Sequence, residues 1–355
     1  MRLSKGKAVG EEASGRGYAG AVRKTLVLFW RLLRYRVAAM VVIFTLLGAA
    51  SHDGFSSLHW SLVAGILALM ASYAGATSVN DIADERIDAI NHPGDHGRPL
   101  VIGIASKRDL WAVFSLSALA AVLLPIASGA IGVTALVATS VAVGVIYSLP
   151  PLILSHRTYL APIALTVAYV GLPYCVGVVA VGGMPGSSDA PLVGALCLLF
   201  LGRIVLKDFR DRQGDAAYGK PTFLLRYGKR ATCLLSATCV CAADAVLIHT
   251  VTTSLGWWLA MIAQLYVLGI AAMLLRLYTA DDRRGEQVSI GVGARVGNGL
   301  LLLLLGVSLL AHQDGAGVSP DVAMPAFALA ISAFYAADFF LFLRYPERAV
   351  IGYKG

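Results

Sequence analysis

Charge is scarce in this chain. Lys, Arg, Asp and Glu make up 14% of its 355 residues, where a soluble domain carries about a quarter. With 57% of positions hydrophobic and a mean hydropathy of +0.73, that shortage excludes a soluble enzyme and a disordered chain. Cysteine is sparse too. The five residues Cys175, Cys197, Cys233, Cys239 and Cys241 are odd in number and lie in apolar runs, which excludes a disulfide scaffold or a zinc site. Cys239-Val240-Cys241 reads as helix packing. The seven histidines share no spacing, so none is assigned as a ligand or base. Met1 to Lys24 contains no apolar stretch and is read as a cytosolic tail without a cleavable signal.

What the sequence does contain is long apolar runs. Ten recur at bilayer-spanning length, near 26–50, 60–79, 109–128, 131–149, 160–181, 191–207, 232–252, 257–279, 297–312 and 322–344. If the amino terminus is cytosolic, the external connections are 51–59, 129–130, 182–190, 253–256 and 313–321, and none contains Lys or Arg. The basic residues fall on the other side, including Arg86, Arg98, Lys107, Arg157, Arg210, Arg212, Lys220, Arg283, Arg284 and Arg295. This is the positive-inside pattern. It accounts for the net charge of +8 without a nucleic-acid role. The expected fold is all-α: a polytopic membrane helical bundle of nine to ten transmembrane helices. A single domain over 25–345 is flanked by cytosolic tails 1–24 and 346–355, and a plasma-membrane location with a cytosol-facing site is expected.

The two long cytosolic connections, 80–108 and 208–231, carry the chemistry. The second apolar run continues into Asn80-Asp81-Ile82-Ala83-Asp84-Glu85-Arg86-Ile87-Asp88, and the sixth into Asp208-Phe209-Arg210-Asp211-Arg212-Gln213-Gly214-Asp215. Both contain D-x-x-D-x-x-x-D. Helical offsets of three and four keep such side chains on one face. Clustered carboxylates at a membrane helix end repel one another, and a divalent cation relieves this best. Hard oxygen donors suit Mg²⁺ completed by substrate phosphates. Nearby Arg86, Arg98, Lys207, Arg210, Arg212 and Lys220 suit diphosphate oxygens. One such cluster could be solvated charge at a helix end; its repetition at equal spacing argues for a site.

On these residues the chain resembles the UbiA superfamily of intramembrane prenyltransferases, whose N-D-x-x-D-x-x-x-D follows the second span and D-x-x-x-D the sixth. Arg98-Pro99-Leu100 with Gly103 and Ser106 is similar to the family's R-P-l-x-x-G-x-x-S. Lys207-Asp208 through Gly214-Asp215, Gly219 and Thr222, and Tyr147 to Pro151 with Arg157, match its other cytosolic segments. The likeness covers roughly 25–310; a tenth span departs from the usual nine.

The resemblance implies that Asn80, Asp84, Asp88, Asp211 and Asp215 hold two Mg²⁺ ions on a donor diphosphate, with Asp81 and Asp208 as supporting acids. The catalytic set is Asp84, Asp88, Asp211 and Asp215. Arg157, Lys207 and Lys220 would bind the diphosphate, with Tyr147 as hydroxyl donor; Arg98 would do the same or order its loop. Arg34 or Arg36 would meet an acceptor carboxylate, or serve as an interface anchor. Tyr73, Tyr169 and Tyr174 are read as packing residues that could also line a prenyl tunnel. Asp244 and Asp338, inside predicted spans, belong to no motif.

The implied reaction is Mg²⁺-dependent transfer of an isoprenyl group from an isoprenyl diphosphate to an aromatic acceptor, within the lipid bilayer. An intramembrane terpene cyclase shares the first step and would give a cyclic product without acceptor. A CDP-alcohol phosphotransferase lacks its D-G-x-x-A-R signature here. A cation-coupled transporter would hold its acids near mid-membrane.

Overall fold

Backbone amides in hydrocarbon must be satisfied within the chain, and the protein meets this with helices alone among its described residues. The computed structural model describes residues 23–52, 55, 59–311 and 319–348; most of the expected tails therefore lie outside the described residues. Among the described residues nine helices are long and apolar enough to cross a membrane, or ten when a bent pair at the start is taken as one.

That bent pair corrects the expected first span, 26–50. It is two helices, α1 (Arg23–Leu32) and α2 (Tyr35–Ala50), meeting at 71°. The pivot is Arg34, left-handed at φ 41° and ψ 68°, which costs a non-glycine residue about 1–2 kcal/mol. A 2.6 Å ion pair to the buried carboxylate of Asp81 offsets it. Hydropathy does not report such a break, because both halves are apolar.

The chain continues as α3 (Trp60–Ala83), α4 (Glu85–Asn91), α5 (Lys107–Ala127) and α6 (Ile131–Ser148). The fifth span joins α7 (Leu160–Thr166) to α8 (Leu172–Ala180) through a π turn at Val167–Gly171. The sixth, α9 (Ala190–Ile204), runs through a 3₁₀ turn into α10 (Asp208–Ala217). Then come α11 (Phe223–Ser254), bent at Gly228 with φ 79°, α12 (Trp257–Thr279), α13 (Arg283–Ala311) and α14 (Pro320–Arg344).

A second correction concerns the ninth span, expected at 297–312. Its helix α13 begins fourteen residues earlier, at Arg283, and the expected connection 280–296 shrinks to Ala280–Asp282. Glu286, Ser289, Arg295 and Asn298 dilute the hydropathy of this stretch. They are accommodated because Glu286 is buried against Lys229 at 3.2 Å and Arg212 at 3.2 Å, and because Arg295 and Asn298 face an internal cavity. Buried polarity thus hid half a membrane helix.

Small residues let the helices touch. A Cβ on Gly48 of α2 would overlap the backbone oxygen of Tyr174 in α8, and one on Gly177 of α8 would overlap that of Thr45 in α2; glycine here allows backbone contact. Phe44, Tyr174, Leu196, Leu259 and Leu300 fill the largest core. By contrast α14 presents Leu329, Phe334 and Phe340 outward, as a lipid-facing helix does.

A polar knot ties the end of the bundle remote from α10. Asp189, the residue before α9, accepts from the Gly186 N–H at 2.9 Å and the Tyr174 hydroxyl at 3.0 Å, and His52 Nε2 lies at 3.1 Å. Burial pushes the Asp189 carboxyl up, but these donors outweigh it and hold the group below its ordinary value. Its contribution is therefore complete above the unfolded carboxylate value of about 3.9 and lost as pH falls through the lower folded value. Asp189→Asn is expected to lower the melting temperature at pH 7, with the gap to the unaltered protein closing below about pH 4. A gap of constant size across that range would show that the charge contributes nothing.

Candidate active site

The two acidic segments are brought together by helix redirection. Helix α3 ends at Ala83, and Asp84, at φ −96° and ψ 12°, turns the chain into α4. Helix α10 lies against α4 because residue 214 has no side chain. Its N–H donates to Asn91 Oδ1 at 2.7 Å, and a Cβ there would lie 2.5 Å from the Ile87 carbonyl oxygen. Across the same seam His92 Nε2 lies 2.9 Å from Asp211 Oδ1.

Every cluster carboxylate has a cation partner. Lys220, itself buried, bridges the clusters, 2.9 Å from Asp84 and 4.0 Å from Asp215. Arg98 pairs with Asp88 and, at 3.3 Å, with Asp81, which also holds Arg34. Arg210 lies 3.0 Å from Asp211, and Lys207 lies 3.0 Å from Asp208. Asn80 Nδ2 donates to Asp84 Oδ2 at 3.1 Å. Burial, helped by the nearby Arg34 charge, lowers Arg98 to about 10, so it remains a cation at neutral pH.

The compensation is incomplete. Asp81 Oδ2 and Asp215 Oδ2 are buried without a hydrogen-bond partner, which is costly for a carboxylate. Among the described residues no three His, Cys, Asp or Glu groups converge into an all-protein metal cage. Mg²⁺ does not require one, since it is held by one or two carboxylates with waters and substrate phosphates. Oxygen-only donors from two facing helices and an orphaned Asp215 oxygen fit such an ion.

These groups line a cavity of about 430 Å³. Asn80, Asp84, Asp88, Asp211 and Asp215 all line it, as do Arg98, Tyr147, Lys207 and Lys220, and Arg34 and Arg36. Three expected residues, Asp81, Asp208 and Arg157, do not. Asp208 is buried behind the lining, held by Lys207. Arg157 is exposed, because its connection docks through the next residue: Thr158 is buried, its hydroxyl donating to the Pro221 carbonyl at 2.6 Å. Neighbouring side chains on an extended segment point opposite ways, so Arg157 faces outward.

The cavity wall is aromatic. Tyr73 and Tyr169 meet edge to face at 5.4 Å, and Tyr169 meets Phe200 at 6.0 Å; all three line the cavity. Tyr169 sits on the π turn, a distortion frequent at functional positions. Tyr174 instead belongs to the remote Asp189 knot. Asp244 accepts from Gln264 at 2.7 Å, and Asp338 is 4.0 Å from Arg295. The sequence reading missed Asn91, His92, Arg203 and Asn298 as cavity or seam residues. The only available signal was polarity inside or beside apolar runs.

A bundle of membrane-length helices with paired acidic clusters and cations at the polar end of an aromatic-walled cavity describes an intramembrane enzyme. The UbiA prenyltransferase family model matches residues 39–292, more than half of the chain, and the protein belongs to that family and is a membrane prenyltransferase.

Among its relatives is a digeranylgeranylglyceryl phosphate synthase of Methanoregula boonei, 30% identical over 262 residues, covering 70% of this chain and 86% of the relative. A 2-acylphloroglucinol 4-prenyltransferase of Humulus lupulus is 25% identical over 227 residues, covering 60% and 54%. A solved structure of digeranylgeranylglyceryl phosphate synthase superposes with a TM-score of 0.59 at 18% identity, covering 79% of this chain and 97% of that one. A UbiA homologue from Archaeoglobus fulgidus bound to DMAPP and Mg²⁺ gives 0.50 at 18%, covering 88% and 98%.

Because Gly214 sets the spacing of the acidic helices, Gly214→Ala is expected to reduce prenyl transfer by about 100-fold, the cost of an ångström-scale misplacement. The protein should stay helical and monodisperse by circular dichroism and gel filtration. Unchanged turnover would show that the close approach is not required.

Proposed function

We propose that the protein transfers an isoprenyl group from an isoprenyl diphosphate to an aromatic acceptor, with Mg²⁺ on the diphosphate and the cavity open to the cytosolic side. The observation that carries this reading is Lys220 standing between Asp84 and Asp215 at the polar end of an aromatic-walled cavity. The proposed membrane unit is 25–345, with 1–24 and 346–355 as tails.

The donor diphosphate takes hydrogen bonds and charge from Lys220, Arg98 and Lys207, and from the Tyr147 hydroxyl. Asn80, Asp84, Asp88, Asp211 and Asp215 are the residues that would hold the metal, with Asp81 and Asp208 buried behind them. Bound there, Mg²⁺ supplies charge neutralisation for the departing diphosphate. The allylic C–O bond breaks with its electron pair on the diphosphate oxygen, whose growing charge the preoriented cations stabilise. The faces of Tyr73, Tyr169 and Phe200 favour an adjacent carbon cation, and the apolar enclosure keeps water from capturing it. An electron-rich ring carbon of the acceptor then forms the new C–C bond. The displaced ring proton passes to a cluster carboxylate or to the released diphosphate.

The relative named for an acylphloroglucinol supports the aromatic acceptor. A second reading, an acceptor bearing a glycerol phosphate, is supported by the archaeal synthase, which matches over most of its length.

Asp84→Asn and Asp211→Asn should each cut transfer about 100-fold or more while keeping the oxygen acceptor for the neighbouring cation that alanine would remove. Chelation should abolish it and Mg²⁺ restore it, with prenylated product followed by mass spectrometry. Near-normal rates in either variant would remove the paired clusters from the mechanism, and a cyclic hydrocarbon formed without acceptor would reassign the enzyme as a terpene cyclase.

A further inference from the structure

The end of the bundle that carries the acidic clusters also presents a basic surface outside the cavity. Two neighbouring connections build it, residues 149–160 leading into α7 and 216–231 leading into α11, and neither contains Asp or Glu. They are joined where the Thr158 hydroxyl donates to the Pro221 carbonyl at 2.6 Å. Of their cations, Lys220 reaches Asp84 at 2.9 Å and Lys229 reaches Glu286 at 3.2 Å. Arg157, Arg226 and Arg230 are exposed, and their guanidinium groups make no ion pair or hydrogen bond among the described residues.

Arg226 is held by aromatic rings instead of acids. Its guanidinium carbon lies 6.0 Å from the centre of the Tyr159 ring and 5.5 Å from that of Tyr227. Such contacts attract the cation and leave its N–H donors unused. Phe223 supports both rings, at 6.4 Å from Tyr159 and 4.8 Å from Tyr227. The two tyrosine hydroxyls are hydrogen-bonded to one another, and both side chains are exposed. Their mutual bond uses one O–H, so the other is free to donate outward. Arg157, extended at φ −115° and ψ 110°, lies two residues before Tyr159, on the side of the segment opposite the docked Thr158. The exposed side chains that follow are apolar: Leu160, Ile163 and Val167, at offsets of three and four on one face of the fifth span, and Leu234 on α11.

We propose that Arg226, Arg157 and the Tyr159–Tyr227 hydroxyl pair bind the headgroup of an anionic phospholipid, with its acyl chains along the adjoining apolar faces, and that its occupancy steadies the connection carrying Lys220. A phosphodiester accepts two parallel N–H bonds from a guanidinium, and the free O–H supplies a third. Charge complementarity disfavours a zwitterionic lipid, because its headgroup amine meets Arg226 already seated over the rings and finds no carboxylate in either connection. Unpaired cations beside tyrosines at the end of a membrane helix suit the anionic headgroup level of a bilayer. The lipid bridges the same two connections that the Thr158–Pro221 bond joins, and that bond lies one residue from Lys220.

The test is native mass spectrometry of the full chain, stripped of lipid in detergent and titrated with phosphatidylglycerol, with phosphatidylcholine of the same acyl chains, and with glycerophosphoglycerol, the headgroup alone. Phosphatidylglycerol should bind more tightly than phosphatidylcholine by about fivefold or more, the worth of one basic contact. Arg226→Gln should remove that preference and Arg226→Lys should keep part of it. Arg108→Gln, at an exposed arginine of another connection, should leave it intact. In nanodiscs, amide hydrogen exchange over 218–227 should be slower in phosphatidylglycerol than in phosphatidylcholine, and the difference should vanish in Arg226→Gln.

Equal affinity for the two lipids, or an equal loss in Arg226→Gln and Arg108→Gln, would overturn the site and leave only a general attraction of basic connections for an anionic surface. Glycerophosphoglycerol binding as tightly as the whole lipid would overturn it as a lipid site and assign the patch to a soluble phosphate. Exchange that ignores lipid charge, or that responds equally in Arg226→Gln, would overturn the steadying of the Lys220 connection.

Discussion

Charge neutralisation at one end of the bundle is the constraint on which the rest of the structure depends. Six carboxylates from two segments sit where water is scarce, and Asp81 and Asp215 are each only 2% exposed. Carboxylates so placed are tolerated only if cations reach them. The chain supplies those cations from four regions: Arg34 at the break before α2, Arg98 from the loop after α4, Lys207 just before and Arg210 within α10, and Lys220 beyond it. Each pairing also fixes an element. The left-handed kink at Arg34 exists to deliver its side chain to Asp81, and the loop carrying Arg98 is tied down by Asp88 and Asp81. Fold and site are therefore one electrostatic arrangement.

On the proposed function, the same arrangement suits a trianionic headgroup. Lys220 and Arg98 hold the carboxylates together, and they are also the groups best placed to turn toward phosphate oxygens. On the proposed function, a carboxylate freed by such a turn would become a metal ligand. Binding of metal and diphosphate is in this view an exchange of partners within a fixed constellation, with little backbone rearrangement. Gly214 makes this possible by allowing α10 to approach α4 until His92 reaches Asp211.

Much of this was legible from sequence where physics acts locally. Apolar runs reported the spans because a bilayer demands length and hydropathy. The repeated D-x-x-D-x-x-x-D reported the site because helical periodicity turns spacing into direction. What was not legible depends on tertiary contact. The kink at Arg34 follows from a partner 47 residues away. The early start of α13 was masked by Glu286, Arg295 and Asn298, polar residues that a buried cavity and distant cations make acceptable. Arg157 carried a family motif but faces outward, because the docking of Thr158 on Pro221 decides its direction. Arg203 lies inside the apolar run 191–207 with no motif to single it out, although it lines the cavity.

The central claim is that both acidic helices share one metal–diphosphate complex. It is tested most directly by electron paramagnetic resonance of Mn²⁺ titrated into the nanodisc-held protein, with and without a non-hydrolysable isoprenyl diphosphate analogue. The account predicts weak binding alone and two dipole-coupled ions in the presence of the analogue, with that coupling lost when either cluster is neutralised. A single uncoupled ion, or binding that ignores the analogue, would contradict it.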